Sequence, residues 1–295
     1  MVTAIINDLV ATGDRYSVFH NGVFMSGNGP ESLVIAESGI YKFIHLIDAT
    51  CEIAITINPG LEVTLMEFYY CTGDVASVAI DYDIGAGARV ELVRFKQGEC
   101  AGVIRFITNT NIKENTYINN RNLSIISTAC ELTDNVYLRG KGGEIAMTNV
   151  TINTFGKEQN HCYDIHHLAP RTTSTLHNYG ISKNHSLLNI KSNGLIARGA
   201  KKAELRQKSK GLIIGTAARL SADPILQIDE YDVIASHGAS IGAINEDELY
   251  YLMSRGLTYE SAEKLIVSGF VNPFFNGLGD DISIDYMKRM IDNNL

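Results

Sequence analysis

Two places in the chain gather residue types able to hold a metal or move a proton. The denser is the run His161-Cys162-Tyr163-Asp164-Ile165-His166-His167. In a strand, successive side chains alternate faces, so Cys162, Asp164 and His166 would share one side. Thiol, carboxylate and imidazole together suit a transition metal. The alternative is an ordinary strand whose histidines belong to core or surface. The second place is His237, within Ser236-His237-Gly238-Ala239. It is expected just after the last strand, where a turn would leave the ring accessible. Neutral imidazole is a fair ligand for iron and can leave a coordination position open. The alternative is a histidine that hydrogen-bonds a turn or an interface.

The five cysteines are Cys51, Cys71, Cys100, Cys130 and Cys162. Their number is odd and no CxxC occurs, which speaks against a disulfide framework or a structural zinc site. Free thiols in a reducing compartment fit better. Cys71, Cys100, Cys130 and Cys162 are separated by 29, 30 and 32 residues. Brought together they could ligate an iron–sulfur cluster; otherwise they are small apolar residues of a core. No GxxxxGK[ST] loop is present, and the residues around Ser236-His237 form no hydrolase constellation.

The elements that must position these residues show a repeat. Gly60-Leu61-Glu62-Val63-Thr64-Leu65, Gly87-Ala88-Arg89-Val90-Glu91-Leu92 and Gly142-Gly143-Glu144-Ile145-Ala146-Met147 share one pattern. The glycines step by 27 residues (60 to 87) and then by 55 (87 to 142). Gly199-Ala200-Lys201-Lys202-Ala203-Glu204-Leu205 continues the series as a fourth copy. In each, a small-residue turn leads into an alternating strand, which puts Val63, Leu65, Val90, Leu92, Ile145 and Met147 on one face. A unit of 27–29 residues built this way describes a right-handed parallel β-helix, a solenoid with a continuous apolar interior. An ordinary β-sandwich is the alternative.

The pattern changes after Gly242. Asn245-Glu246-Asp247-Glu248 reads as a capping box opening a helix that carries Leu249, Tyr250, Leu252 and Met253 and stops at Gly256. Thr258 caps a second helix, and a third is expected from near Ser283. The expected division is a β-helix over residues 1–242 and a small helical part over 243–295, which could close the solenoid end, bind a partner, or both.

From Ala222 to Phe270 the chain resembles the C-terminal signature of the SufB/SufD family of iron–sulfur cluster assembly scaffolds. The residues that carry it are Pro224-x-Leu226, Val233, Ser236-His237-Gly238-Ala239, Gly242, Glu248-Leu249-Tyr250-Tyr251-Leu252, Ser254-Arg255-Gly256 and Gly269-Phe270. Upstream, His167-x-x-Pro170-x-Thr172-x-Ser174 and the segment from Gly194 to Gln207 also look like the family. The resemblance fades toward the N-terminus.

The resemblance implies a non-catalytic scaffold with a β-helix flanked by helices. It implies a SufC-like ATPase docked on the C-terminal helices, with Tyr250, Tyr251, Met253 and Arg255 the contact candidates. It also implies pairing with a SufB-like subunit or with itself. It places His237 at a functionally implicated histidine, ahead of Cys162 and His166 as a candidate ligand. No tightly bound cofactor is expected, only a transient iron–sulfur cluster. SufB-type members carry a cysteine where Ala218 stands here, which favours a SufD-like or minimal single-scaffold reading. The chain is short for the family, with strands expected from about Tyr16 and no N-terminal helical region.

Composition narrows the field. Net charge is −8 from 25 basic and 33 acidic residues, unlike the basic excess of nucleic-acid binders. The cluster Arg198, Lys201, Lys202, Arg206, Lys208 and Lys210 reads as a solvated sheet surface. No apolar run is long enough to span a bilayer and no signal peptide is evident, so a cytoplasmic location and no membrane partner are expected. A carbohydrate-active β-helix enzyme is the rival class, but the chain has no tryptophan for sugar platforms. A purely structural solenoid is another.

Overall fold

The structure, a computed structural model, describes residues 2–74 and 76–295. A short helix, α1 (Val2–Leu9), comes first, and the sequence had given no sign of it. The strands follow: β1 (Tyr16–His20), β2 (Val23–Gly27), β3 (Val34–Ile35), β4 (Gly39–Ile47), β5 (Cys51–Ile57), β6 (Glu62–Cys71), β7 (Ala76–Ile84), β8 (Arg89–Gly98) and β9 (Val103–Ile112). They continue as β10 (Tyr117–Ile126), β11 (Ala129–Leu138), β12 (Glu144–Asn153), β13 (Glu158–His167), β14 (Thr173–Lys183), β15 (Leu187–Ile196), β16 (Glu204–Ile214), β17 (Arg219–Ile228) and β18 (Ile234–Ala243). Three helices close the chain: α2 (Glu246–Ser254), α3 (Tyr259–Val271) and α4 (Asp281–Asn293), with a 3-10 turn at Asn272–Phe274.

The strands form a parallel β-solenoid. One sheet has ten strands in the order β18-β16-β14-β12-β10-β8-β6-β4-β1-β2; the other has eight, β17-β15-β13-β11-β9-β7-β5-β3. All pairings are parallel except the β1–β2 hairpin. Each turn of chain lays one strand on each sheet. Val63 pairs with Val90, Val90 with Ile118, and Ile118 with Ile145, all pointing inward and buried. The repeat is therefore a rung, as its spacing requires.

The turn before each strand of the larger sheet uses a left-handed residue. Gly60, Gly87 and Gly142 all have φ 71°. The other copies use Asn115 (φ 52°), Arg171 (φ 58°) and Lys202 (φ 59°). Successive members are linked in one column, each main-chain N–H donating to the carbonyl just before the next: Gly87 to Glu114, Asn115 to Lys141, Gly142 to Pro170 and Arg171 to Lys201. This corrects the expected fourth copy. Lys202 is the equivalent of Gly142, and Gly199 lies three residues early in a longer turn.

The helices pack elsewhere than expected. They do not cap the solenoid end; α1, α3 and α4 lie along the outer face of the ten-stranded sheet. That face is apolar because its outward positions include Phe68, Tyr70, Val93, Phe95, Leu123, Ile125, Val150 and Ile152, and these share a core with Val267, Val271, Phe274, Met287 and Ile291. Buried cations fix the arrangement. Lys42 Nζ donates to Leu9 O and Asp14 and lies 2.7 Å from Asp280, the N-cap residue of α4. Arg121 donates to the carbonyls of Phe274 and Asn276. Lys183 joins Glu263 of α3 to the main-chain oxygen of Leu295.

Candidate functional site

Because the helices cover a side, the C-terminal end of the solenoid is open. β17 and β18 each have a neighbour on one edge only. Their inward-phase residues, which earlier rungs would bury, are uncovered: Ala222, Pro224 and Leu226 partly, His237, Ala239 and Ile241 largely. Ile225, Ile228, Ile234 and Ile241 leave apolar surface at this end. An unpaired, apolar strand edge is a template for another strand.

His237 sits in the middle of β18, not in a turn after it, which corrects the expected position. It pairs in register with Gln207 of β16, and Gln207 with Leu176 of β14. The imidazole is therefore on the interior phase of the last rung, exposed only because no further rung covers it. Beneath it, Gln207 is 5% exposed and neither amide atom has a hydrogen-bond partner among the described residues. A buried amide without partners is costly, of the order of 1–3 kcal/mol.

The interior behind this mouth is polar along one column. Glu67, Arg94, Asn122, Asn149, Asn178 and Ser209 stack in register down the ten-stranded sheet. Asn122 donates to Asn149 at 2.7 Å, Asn149 to Asn178 at 2.8 Å, and Asn178 to Ser209 at 3.2 Å. Glu67 accepts from Tyr69, Tyr82 and His45; the bonds to His45 and the two phenols outweigh burial and hold its carboxyl below the usual range. Lys96, beside this column, has no hydrogen-bond partner among the described residues, and burial pulls it down to about 8. The sequence reading missed this interior, although Glu67 and Arg94 keep the alternating phase of Val63–Leu65 and Val90–Leu92.

The cysteines divide. Cys51, Cys71, Cys100 and Cys130 are buried, whereas Cys162 faces outward on β13 and is half-buried. Burial raises every one of them, Cys130 to about 12 and Cys162 to about 11, the latter also through neighbouring Asp164. In each case burial disfavours the free thiolate. Cys162, Asp164 and His166 do share the outer face of β13, with Cys162 Sγ 3.4 Å from Asp164 Oδ1. His166 instead stacks on Tyr137, ring centroids 4.9 Å apart. Among the described residues, no three His, Cys, Asp or Glu side chains converge as a metal-binding group. His167 is buried and bonded to Thr172 and Ser174.

α2 is the second uncovered element, with no buried residue. Asn245 caps it by accepting from Asp247 N–H at 2.9 Å, and Gly256 follows its end at φ 98°. Tyr250 is 76% exposed, Tyr251 57% and Met253 43%. Arg255 lies over the Tyr251 ring at 5.2 Å. The expected contact residues are therefore all exposed, as are Leu257 and Tyr259.

Comparison with known proteins fits this geometry. Residues 48–270 match the family model described as the SUF system FeS cluster assembly, SufBD core domain. The chain belongs to the SufB/SufD family. It is 36% identical over 164 residues to the iron–sulfur cluster assembly protein SufD of Bacillus subtilis, covering 56% of this chain and 36% of that protein. To SufB of the same organism it is 28% identical over 222 residues, covering 69% of this chain and 46% of that protein. A SufBD family protein of Mycobacterium tuberculosis is 30% identical over 126 residues, 43% of this chain and 15% of that protein. The match thus spans less than half the length of these relatives. Among the described residues, no helix is long and apolar enough to cross a membrane.

Proposed function

We propose that this chain is a non-catalytic scaffold subunit of a SUF-type iron–sulfur cluster assembly complex. The open last rung supports the reading most directly: it presents His237 beside two unpaired strand edges and apolar surface. A SufB-like subunit or a second copy pairs with that edge, and His237 becomes a ligand at the junction. A nascent cluster is cargo there, bound and released. Imidazole at the open rung is better placed for the task than the thiols, since four cysteines are buried inside the solenoid and Cys162 lies on the outer face of β13. Ala218, buried before β17, supplies no thiol of its own.

α2 is the docking helix for a SufC-like ATPase. Exposed Tyr, Met and Arg on one short helix match the composition of interface anchors. Motion of that partner would alter access to the junction.

The test is anaerobic reconstitution with iron, sulfide, a SufB-like partner and the ATPase. His237→Ala is expected to slow cluster assembly while leaving the complex intact. Tyr250→Ala with Met253→Ala is expected to abolish ATPase capture. Wild-type cluster yield from His237→Ala would remove the ligand role; undiminished capture would move the ATPase elsewhere.

A further inference from the structure

The strand beside the open edge carries an uneven charge. Arg206, Lys208 and Lys210 occupy alternate outward positions of β16, and His177 of β14 lies in register beside Lys208. Glu204 lies 2.8 Å from Arg206, whereas Lys208 and Lys210 have no carboxylate partner among the described residues. Their field is felt locally: after burial, these two lysines hold His177 below its ordinary value. The whole chain carries −8, so this ridge is cationic against the general charge.

β18, between the ridge and solvent, is built to leave it accessible. The residues in register with Arg206, Lys208 and Lys210 are Ser236, Gly238 and Ser240. They floor a trough of about 400 Å³ bounded by His177, Arg206 and Lys208. A strand added to the free edge of β18 would lie about 10 Å from β16, two strand spacings away. Only serine and glycine stand between. Glutamate or aspartate on the outward phase of the added strand can reach across them to the lysines. Large outward side chains on β18 would have screened the ridge.

A second copy of this chain fits less well. Pairing through its own β18 would bring only Ser236, Gly238 and Ser240 to the junction, with no carboxylate. It would also set a second cationic ridge about 14 Å from the first, three spacings away, a distance over which repulsion persists at low salt.

We infer that the strand accepted at the β18 edge comes from a different protein and carries acidic side chains at alternate positions facing Arg206, Lys208 and Lys210. This rests on the edge-pairing reading above and adds what selects the partner. Like charges across a junction disfavour the wrong partner, and opposite charges fix register and speed encounter.

The test uses the full chain and three labelled extended peptides of the same length, differing only at alternate positions: glutamate, serine or lysine. Fluorescence anisotropy at low salt is expected to show the glutamate peptide about tenfold tighter than the serine peptide, the advantage shrinking as salt rises. Lys208→Glu with Lys210→Glu should reverse the preference toward the lysine peptide, and Lys208→Gln with Lys210→Gln should erase it. Unchanged thermal unfolding of both variants establishes that they are folded. Equal binding of glutamate and serine peptides would overturn the charge selection and leave edge pairing standing. Binding by none of the three would overturn both. Tight self-association of the wild type that is indifferent to salt would overturn the choice of a different protein.

Discussion

Arg94 Nη2 lies 2.9 Å from Asp134 Oδ2, and the pair is sealed inside the solenoid, linking the two sheets. Arg94 also donates to Thr108 at 3.1 Å. The guanidinium and the nearby Lys96 hold the Asp134 carboxyl below the usual range despite its burial. Truncating one member leaves the other charged and dry. Asp134→Ala should therefore lose about 3–5 kcal/mol of stability, read from urea unfolding. Arg94→Met with Asp134→Leu should recover most of it, because the desolvation cost leaves with the charges. If Asp134→Ala unfolds at the wild-type midpoint, the pair carries no such role.

Acid should weaken the fold before carboxylates titrate. His161 is held down to about 3 by burial and by Lys96, and His167 to about 4 by burial and by His166. Between the ordinary value of 6.5 and these values, the unfolded chain binds protons that the folded chain refuses. Stability is then complete above pH 6.5 and falls as pH drops toward 4, by up to about 1.4 kcal/mol per pH unit for each imidazole. Denaturant titrations at pH 7.5, 6 and 5 check this. A flat profile from 7.5 to 5 would refute it, and His161→Asn should reduce the slope.

Lys96 acts with the same sign on the alkaline side. Its folded value is about 8 against an ordinary 10.5, so from pH 8 upward the folded chain releases a proton that the unfolded chain keeps. Stability should rise with pH across that window, until the raised phenols of Tyr69 and Tyr82 begin to oppose it. Lys96→Met removes the buried ammonium and should stabilise at pH 7 by up to about 3 kcal/mol, while abolishing the rise above pH 8. Calorimetry at pH 7, 8.5 and 9.5 reads both effects. Destabilisation by Lys96→Met at pH 7 would show that the methylene packing and the contact with Phe106 outweigh desolvation.

The solenoid was legible because rung spacing and strand alternation are both local: Val63 and Val90 had to pair once Gly60 and Gly87 set the turn. Copies whose turn residue is Asn115, Arg171 or Lys202 were not, since arginine and lysine carry no preference for a positive φ and a lone asparagine only a modest one. The side on which the helices pack was hidden for a similar reason. Phe68, Phe95 and Leu123 interrupt the alternation only mildly, and their common face emerges only when rungs stack. His237 stood out by its motif, but its place on the interior phase depended on knowing where the last rung ends. The polar column was in plain sight as Glu67 and Arg94 at inward positions. It was overlooked because charged residues within alternating strands are ordinarily assigned to solvent.

The helical part should separate into a covering portion and a docking portion. Phe274 is fully buried against the sheet, whereas Tyr250 is 76% exposed. Phe274→Ala is expected to cost about 3–5 kcal/mol and Tyr250→Ala to stay within about 0.5 kcal/mol of wild type. Thermal unfolding of the two variants decides it. A large loss from Tyr250→Ala would mean that α2 is packed in solution and is not a free surface.

The turn column offers the last test. Arg171 adopts φ 58° in the place where Gly142 adopts 71°. A left-handed backbone costs an L-residue about 1–2 kcal/mol, and among the described residues the exposed Arg171 side chain makes no hydrogen bond that would offset it. Arg171→Gly relieves that strain, against about 0.5–1 kcal/mol for the greater freedom of glycine in the unfolded chain. A net gain of about 0.5–1 kcal/mol is expected from the difference, visible as a higher urea midpoint. Gly142→Ala should do the reverse and lose more. It acquires the backbone strain, and its new methyl would sit 2.6 Å from Asn115 Oδ1, the neighbouring member of the column. Opposite signs for the two substitutions are what a single stacked column of turns requires. If Arg171→Gly destabilises, the Arg171 side chain contributes an interaction larger than its strain, and the column is not held by backbone geometry alone.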